Sequence, residues 1–182
     1  MSDVPARPKE RIMAVLDICT YPDPVLRVKA SPVTVFDDNL SKLIEDMAET
    51  MYNAPGIGLA ANQVGKAIQL LVIDLQKPDY DRGLLVMINP QIQVAEGEIA
   101  CEEGCLSVPE FFASVKRSSE ITVGAVDRDG TPFEIEASGL LAIAIQHEID
   151  HLDGKLIIDK IGSISKDIFI RKWKKRQREV KQ

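Results

Sequence analysis

The chain holds only two histidines, His147 and His151, in the string Gln146-His147-Glu148-Ile149-Asp150-His151. On a helix, positions four apart share a face about one turn from each other, so both imidazoles can reach a single cation. Glu148 sits on the flank between them, where its carboxylate can take a proton from water that such a cation activates. The preceding residues, Leu140 to Ile145, are all apolar. They bury the segment, and a buried histidine pair needs a partner.

A third ligand must come from elsewhere. The extended zinc-protease pattern HExxHxxGxxH is matched through Gly154, but its last histidine is Ile157 here. Downstream glutamates are absent apart from Glu179. Two sources remain. One is a nearby aspartate, with Asp159 the candidate. The other is Cys105, in the Gly- and Pro-punctuated stretch from Glu102 to Pro109. A thiolate is a strong soft ligand for an ion already held by two imidazoles. Two His and one Cys would leave a fourth position open, which is the layout of a catalytic site. Against that, a free cysteine is as often a plain buried thiol.

The segment Gly56 to Gln63, GIGLAANQ, carries a GxGxxA spacing. A dinucleotide site would need a strand before it and a helix after it. Here the order is reversed, and the dinucleotide is rejected. What remains is a tight backbone turn whose glycines let a ligand approach, with Gln63 available as a hydrogen-bond donor.

These residues must be positioned by local elements. Leu40, Leu43, Ile44, Met47 and Met51 follow helical spacing over 39–53, with Asp37 or Asp38 as cap. Stretches 67–75 and 84–88 read as buried strands, the second ended by Asn89-Pro90. Residues 121–126 and 133–137 flank the turn Asp127 to Gly130 as a hairpin. Ser138 is expected to cap the histidine helix and Gly154 to end it. A last helix is expected over 165–181, and residues 1–12 as a loose arm. Helix, then strands, then two helices gives an α+β fold with mostly antiparallel sheets packed around a central HExxH-bearing helix, and a C-terminal helix. One catalytic domain over 1–182 is expected.

Composition agrees with a globular chain: 182 residues, 45% hydrophobic and 27% charged. The run Leu140 to Ile145 is far too short to span a bilayer. No apolar targeting segment follows the charged start, and three cysteines (Cys19, Cys101, Cys105) are too few for a disulfide scaffold. Reduced thiols in the cytoplasm are expected, with Cys101 structural. Net charge is −6, but residues 165–182 carry eight Lys or Arg against Asp167 and Glu179. That end is +6 and the rest −12, which suggests a specific anionic partner for the end.

GIGLAANQ, EGCLS and QHEIDHLDG together resemble the three signature motifs of the peptide deformylases, in order, and the overall pattern is similar to the bacterial type-1 enzymes. The resemblance implies that Cys105, His147 and His151 bind a metal and that Glu148 is the general acid/base. It implies that Gln63 and the Leu106 N–H hold the developing oxyanion, and that Gly58 lines the substrate cleft. The cofactor implied is ferrous iron, with nickel, cobalt or zinc as substitutes, and the task is removal of the formyl group from the N-terminal methionine of new proteins. Ile57, Leu140, Ile143 and Ala144 flank the motifs and are candidates for the methionine pocket. Glu103, Asp150 and Arg117 are candidates to support the ligands. The resemblance departs at Glu110-Phe111-Phe112, where many members carry a basic residue. It also suggests a monomer whose basic C-terminal helix docks on the ribosome, with formyl-methionyl nascent peptides as substrate and neither DNA nor membrane as partner.

Two rival readings remain at this level. A zincin-like endopeptidase is disfavoured by Ile157 at the third-ligand position. A non-catalytic metal-binding or ribosome-associated module is disfavoured by Glu148 and Gln63, which merely holding a metal does not require.

Overall fold

A computed structural model describes residues 14–78, 80 and 82–179. The arm expected over 1–12 lies outside the described residues, as do the last three of the chain. The described residues form α1 (Asp38–Asn53), β1 (Gly58–Ala60), β2 (Leu70–Ile73), β3 (Leu85–Glu96), β4 (Ile99–Cys105), β5 (Val108–Arg117), β6 (Glu120–Val126), β7 (Pro132–Ser138), α2 (Gly139–Leu152) and α3 (Ser163–Glu179). One sheet runs β1-β2-β3-β6-β7 with every neighbouring pair antiparallel, and β4-β5 forms a separate hairpin.

Strand β2 explains how the layers stack. Its four residues Leu70, Leu71, Val72 and Ile73 are all fully buried, and successive side chains on a strand point to opposite faces. Leu71 and Ile73 pack with Ala142 and Ile145 of α2. Leu70 and Val72 pack with Leu40, Ile44 and Met51 of α1. The five-stranded sheet is therefore covered by a helix on each face, and each buried Leu or Ile contributes about 1.5–3 kcal/mol. A third cluster joins Val108 and Val115 of β5 to Leu26, Ile157 and Phe169, and so fastens the hairpin and α3 to the rest.

The helix expected from Asn39 begins at Asp38, with the Asp37 side chain accepting the Leu40 N–H at 2.9 Å. Other expectations need correction. Strand 67–75 is regular only over Leu70–Ile73. Asn89-Pro90 does not end its strand, because β3 continues to Glu96. A register shift between Ile88 and Gln91 absorbs the proline, which a bulge allows. Asn89 takes φ 51° there and is fixed by two 2.8 Å bonds to the Val33 backbone. Ser138 precedes α2, but its side chain makes no capping bond. No described helix is long and apolar enough to cross a membrane.

Candidate active site

Helix α2 brings His147 and His151 onto one face, with ring centroids 5.1 Å apart. Cys105 ends β4, and its Sγ lies 3.2 Å from His151 Nε2. One ligand atom from each of Cys105, His147 and His151 falls within 4.8 Å of the other two. One ion with bonds of about 2.0–2.3 Å can bridge such a set, and the soft thiolate with two imidazoles suits a divalent transition metal. Asp159 is not part of this group. It pairs instead with Arg27, with Lys166 at 2.7 Å and with the Leu156 N–H at 2.9 Å.

The surroundings orient the histidines. His147 Nδ1–H donates to Glu103 Oε2 at 2.8 Å, which leaves Nε2 for the shared position. Glu103 in turn accepts from Arg117 Nε at 2.8 Å and Nη2 at 2.9 Å, while Arg117 Nη1 donates to Asp150. Arg117 and Glu103 are both buried, and a buried charge persists only when paired. Burial alone would raise the Glu103 carboxyl. Bonds from Arg117 and His147 outweigh it and hold the group at about 2. Glu148 has no such charged donor, only a backbone hydrogen bond from Ala60. Burial pushes it up to about 7, against the pull of the charges on His147 and Arg117. Its Oε2 is buried with no hydrogen-bond partner among the described residues, and so is His151 Nδ1. A carboxylate poised near neutrality, with one oxygen free, is suited to receive and return a proton.

Gln63 comes from the 3-10 turn Ala61–Val64 that follows β1. Its Oε1 accepts the Ala60 N–H at 2.8 Å, which turns Nε2 toward Ser107 Oγ at 3.2 Å and Cys105 Sγ at 3.9 Å. Leu106 follows Cys105 in the turn between β4 and β5. The groups meet in a cleft of about 470 Å³. Glu148, Gln63, Leu106, Cys105 and His147 line it. So do Gly58, Ile57, Leu140, Ile143 and Ala144, the substrate-binding candidates. His151 does not line the cleft and sits behind the wall, 1% exposed.

Sequence reasoning missed several features here. Ser107, fully buried, anchors Gln63. Cys101, expected to be structural, is half-buried and borders the cleft. The stretch Glu102 to Pro109 reads as a turn with glycine and proline, yet it lies within the β4-β5 hairpin, which carries Cys105 and Glu103. A larger cavity of about 740 Å³ lies between β5 and α3 and contains none of the candidate catalytic or ligand residues.

An antiparallel α+β core with an HExxH helix, a hairpin cysteine and a buried glutamate defines a metal-dependent hydrolase. Comparison with known proteins names its family. The polypeptide deformylase family model matches residues 15–167. The peptide deformylase of Syntrophobacter fumaroxidans is 62% identical over 168 residues, covering 92% of this chain and 99% of its own. That of Thermodesulfovibrio yellowstonii is 52% identical over 162 residues, covering 89% and 98%. The crystal structure of a peptide deformylase from Legionella pneumophila superposes with a TM-score of 0.85 at 44% identity, covering 93% of this chain and 99% of that one. The chain belongs to the peptide deformylase family. It is a hydrolase that removes the formyl group from N-terminal methionine, and the family together with the Cys105, His147 and His151 group implies a metal.

Proposed function

We propose that Glu148 is the general acid/base of this deformylase, that Cys105, His147 and His151 hold its metal, and that Gln63 and the Leu106 N–H stabilise the oxyanion. The observation that carries this reading is the free, buried Oε2 of Glu148 in a cleft that also exposes Cys105 and His147. A divalent cation, when bound, lowers the pKa of water from about 15.7 toward 7 and so supplies a nucleophile at neutral pH. Glu148 Oε2 takes the proton of the attacking water and delivers it to the leaving amine nitrogen. As charge builds on the formyl oxygen, the Gln63 Nε2–H not engaged by Ser107 and the Leu106 N–H donate to it. Ile57, Leu140, Ile143 and Ala144 offer an apolar wall to the methionine side chain, and Gly58 lets the substrate backbone approach.

The metal proposed is ferrous iron, on the family resemblance, since a thiolate and two imidazoles accept nickel, cobalt or zinc as well. The chain is proposed to act as a monomeric, single catalytic domain in the cytoplasm. The basic face of α3, with Arg171, Lys172, Lys174 and Lys175 exposed, is proposed to dock on the ribosome. Ribosome binding at low salt that survives deletion of 165–182 would remove that part.

Formate release from N-formyl-Met-Ala-Ser by anaerobically prepared protein, with metal content from the same sample, tests the reaction. Activity proportional to about one ferrous ion per chain is expected from a three-ligand site with one open position. A Glu148→Ala variant that kept both metal and full activity would sink the proposed mechanism.

A further inference from the structure

At the mouth of the cleft the fold leaves an aromatic ring in water. Phe112 of β5 is 66% exposed and lines the cleft wall. Its neighbour Phe111 points to the other face of the strand and packs on Phe169, with ring centroids 4.7 Å apart. Phe112 has no aromatic partner among the described residues. A single exposed apolar side chain is ordinary in itself. Two observations set this one apart.

The first is that the ring is seated. Phe112 pairs across the hairpin with Gly104, and a Cβ added to Gly104 would come within 2.8 Å of Phe112 Cε1. The ring therefore covers the backbone of the strand that delivers Cys105, one residue further on. The second is its position. Phe112 lines the cleft and is at the same time exposed to solvent, so it stands where the cleft opens outward. Among the described large apolar side chains that are exposed, it alone lines the cleft.

A formylated methionine arrives with a polypeptide behind it, and the residues after the methionine must pass this mouth. We propose that Phe112 is a specificity-determining residue that favours formylated peptides with a bulky apolar side chain in the two positions after the methionine. The inference rests on the deformylase reading of the cleft. An apolar side chain that covers the ring removes area of both from water at binding, whereas a small polar one gains little.

The test compares formate release from N-formyl-Met-Leu-Leu and N-formyl-Met-Ala-Ser by the unaltered enzyme, Phe112→Ser and Phe112→Leu. Both peptides are measured on one preparation, so partial unfolding cancels from their ratio. The unaltered enzyme is expected to prefer the Leu-Leu peptide by about tenfold in kcat/KM. Phe112→Ser is expected to remove most of that preference through a higher KM for the Leu-Leu peptide, and Phe112→Leu to retain most of it. An unchanged ratio in Phe112→Ser, or an equal loss on both peptides, would overturn the inference. If the unaltered enzyme released formate from neither peptide, the deformylase reading itself would fall and the inference with it.

Discussion

Gly58 backs directly onto Glu148: a Cβ built on Gly58 would lie 2.5 Å from Glu148 Oε1 and 3.0 Å from its Cγ and Cδ. The glycine is required by this closeness and not by a left-handed backbone, since Gly58 is absent from the positive-φ residues. Both residues are buried, so the added methyl cannot be accommodated at the surface. Gly58→Ala is expected to shift the carboxylate and to lower kcat/KM for formate release by about 100-fold, the scale of a misplacement near 1 Å. Its metal content should be unchanged, because the three atoms nearest the new methyl all belong to Glu148 and none to a candidate ligand. Activity within about twofold of the unaltered enzyme would show that the contact does not hold Glu148 in place.

How much of this was readable follows from sequence distance. The spacing of His147, Glu148 and His151 is set within one helical turn, so their shared face was legible at once. Helix α1 and the β6-β7 hairpin were legible for the same reason. The contact of Gly58 with Glu148 spans ninety positions, and no local pattern announces it. Nor does any local pattern show that Ser107 holds Gln63. The β4-β5 hairpin was hidden because Gly104, the acidic pair Glu102-Glu103 and Pro109 read locally as a loop, although cross-strand pairing makes them strand. Pro90 misled for a related reason: a bulge removes the backbone hydrogen bond that a proline cannot make.

The Arg117–Glu103–His147 relay predicts a loss of metal affinity without loss of any ligand. Glu103→Gln would replace the carboxylate that receives both the Arg117 guanidinium and the His147 Nδ1–H. Partners of this kind typically contribute 10–100-fold to metal affinity. Competition against a chelator should show a decrease of that order, and the melting temperature should fall because Arg117 loses part of its neutralisation. Unchanged metal retention would mean that the relay does not orient His147.

The Gln63 amide gives a third prediction. Gln63→Ala should lower kcat by about 100- to 1000-fold, the usual cost of one oxyanion donor. Ser107→Ala keeps the donor but frees its rotation, because among the described residues the Ala60 N–H then remains as the only strong partner of the side chain. Its loss should be smaller, about tenfold, and confined to kcat. Equal effects in the two variants would assign Ser107 a direct part in holding the substrate.

Acid should loosen the junction between α3 and the body over the same range in which Glu103, also held at about 2, takes up its proton. Asp159 receives Arg27 and Lys166, and although burial opposes it, these partners lower its carboxyl from 3.8 to about 2. A carboxyl depressed in the folded state stabilises it above the unfolded value, and that contribution is lost as pH falls from about 4 toward 2. The pair is partly open to solvent, so its share is about 1 kcal/mol. Asp159→Asn should therefore lower the melting temperature at neutral pH and flatten the dependence of stability on pH across that window. Thermal unfolding followed by Trp173 fluorescence reads the change where it arises, since Trp173 packs with Tyr21 at 5.2 Å in the same junction. A variant whose stability still fell as steeply between pH 4 and 2 would place the acid-sensitive groups elsewhere.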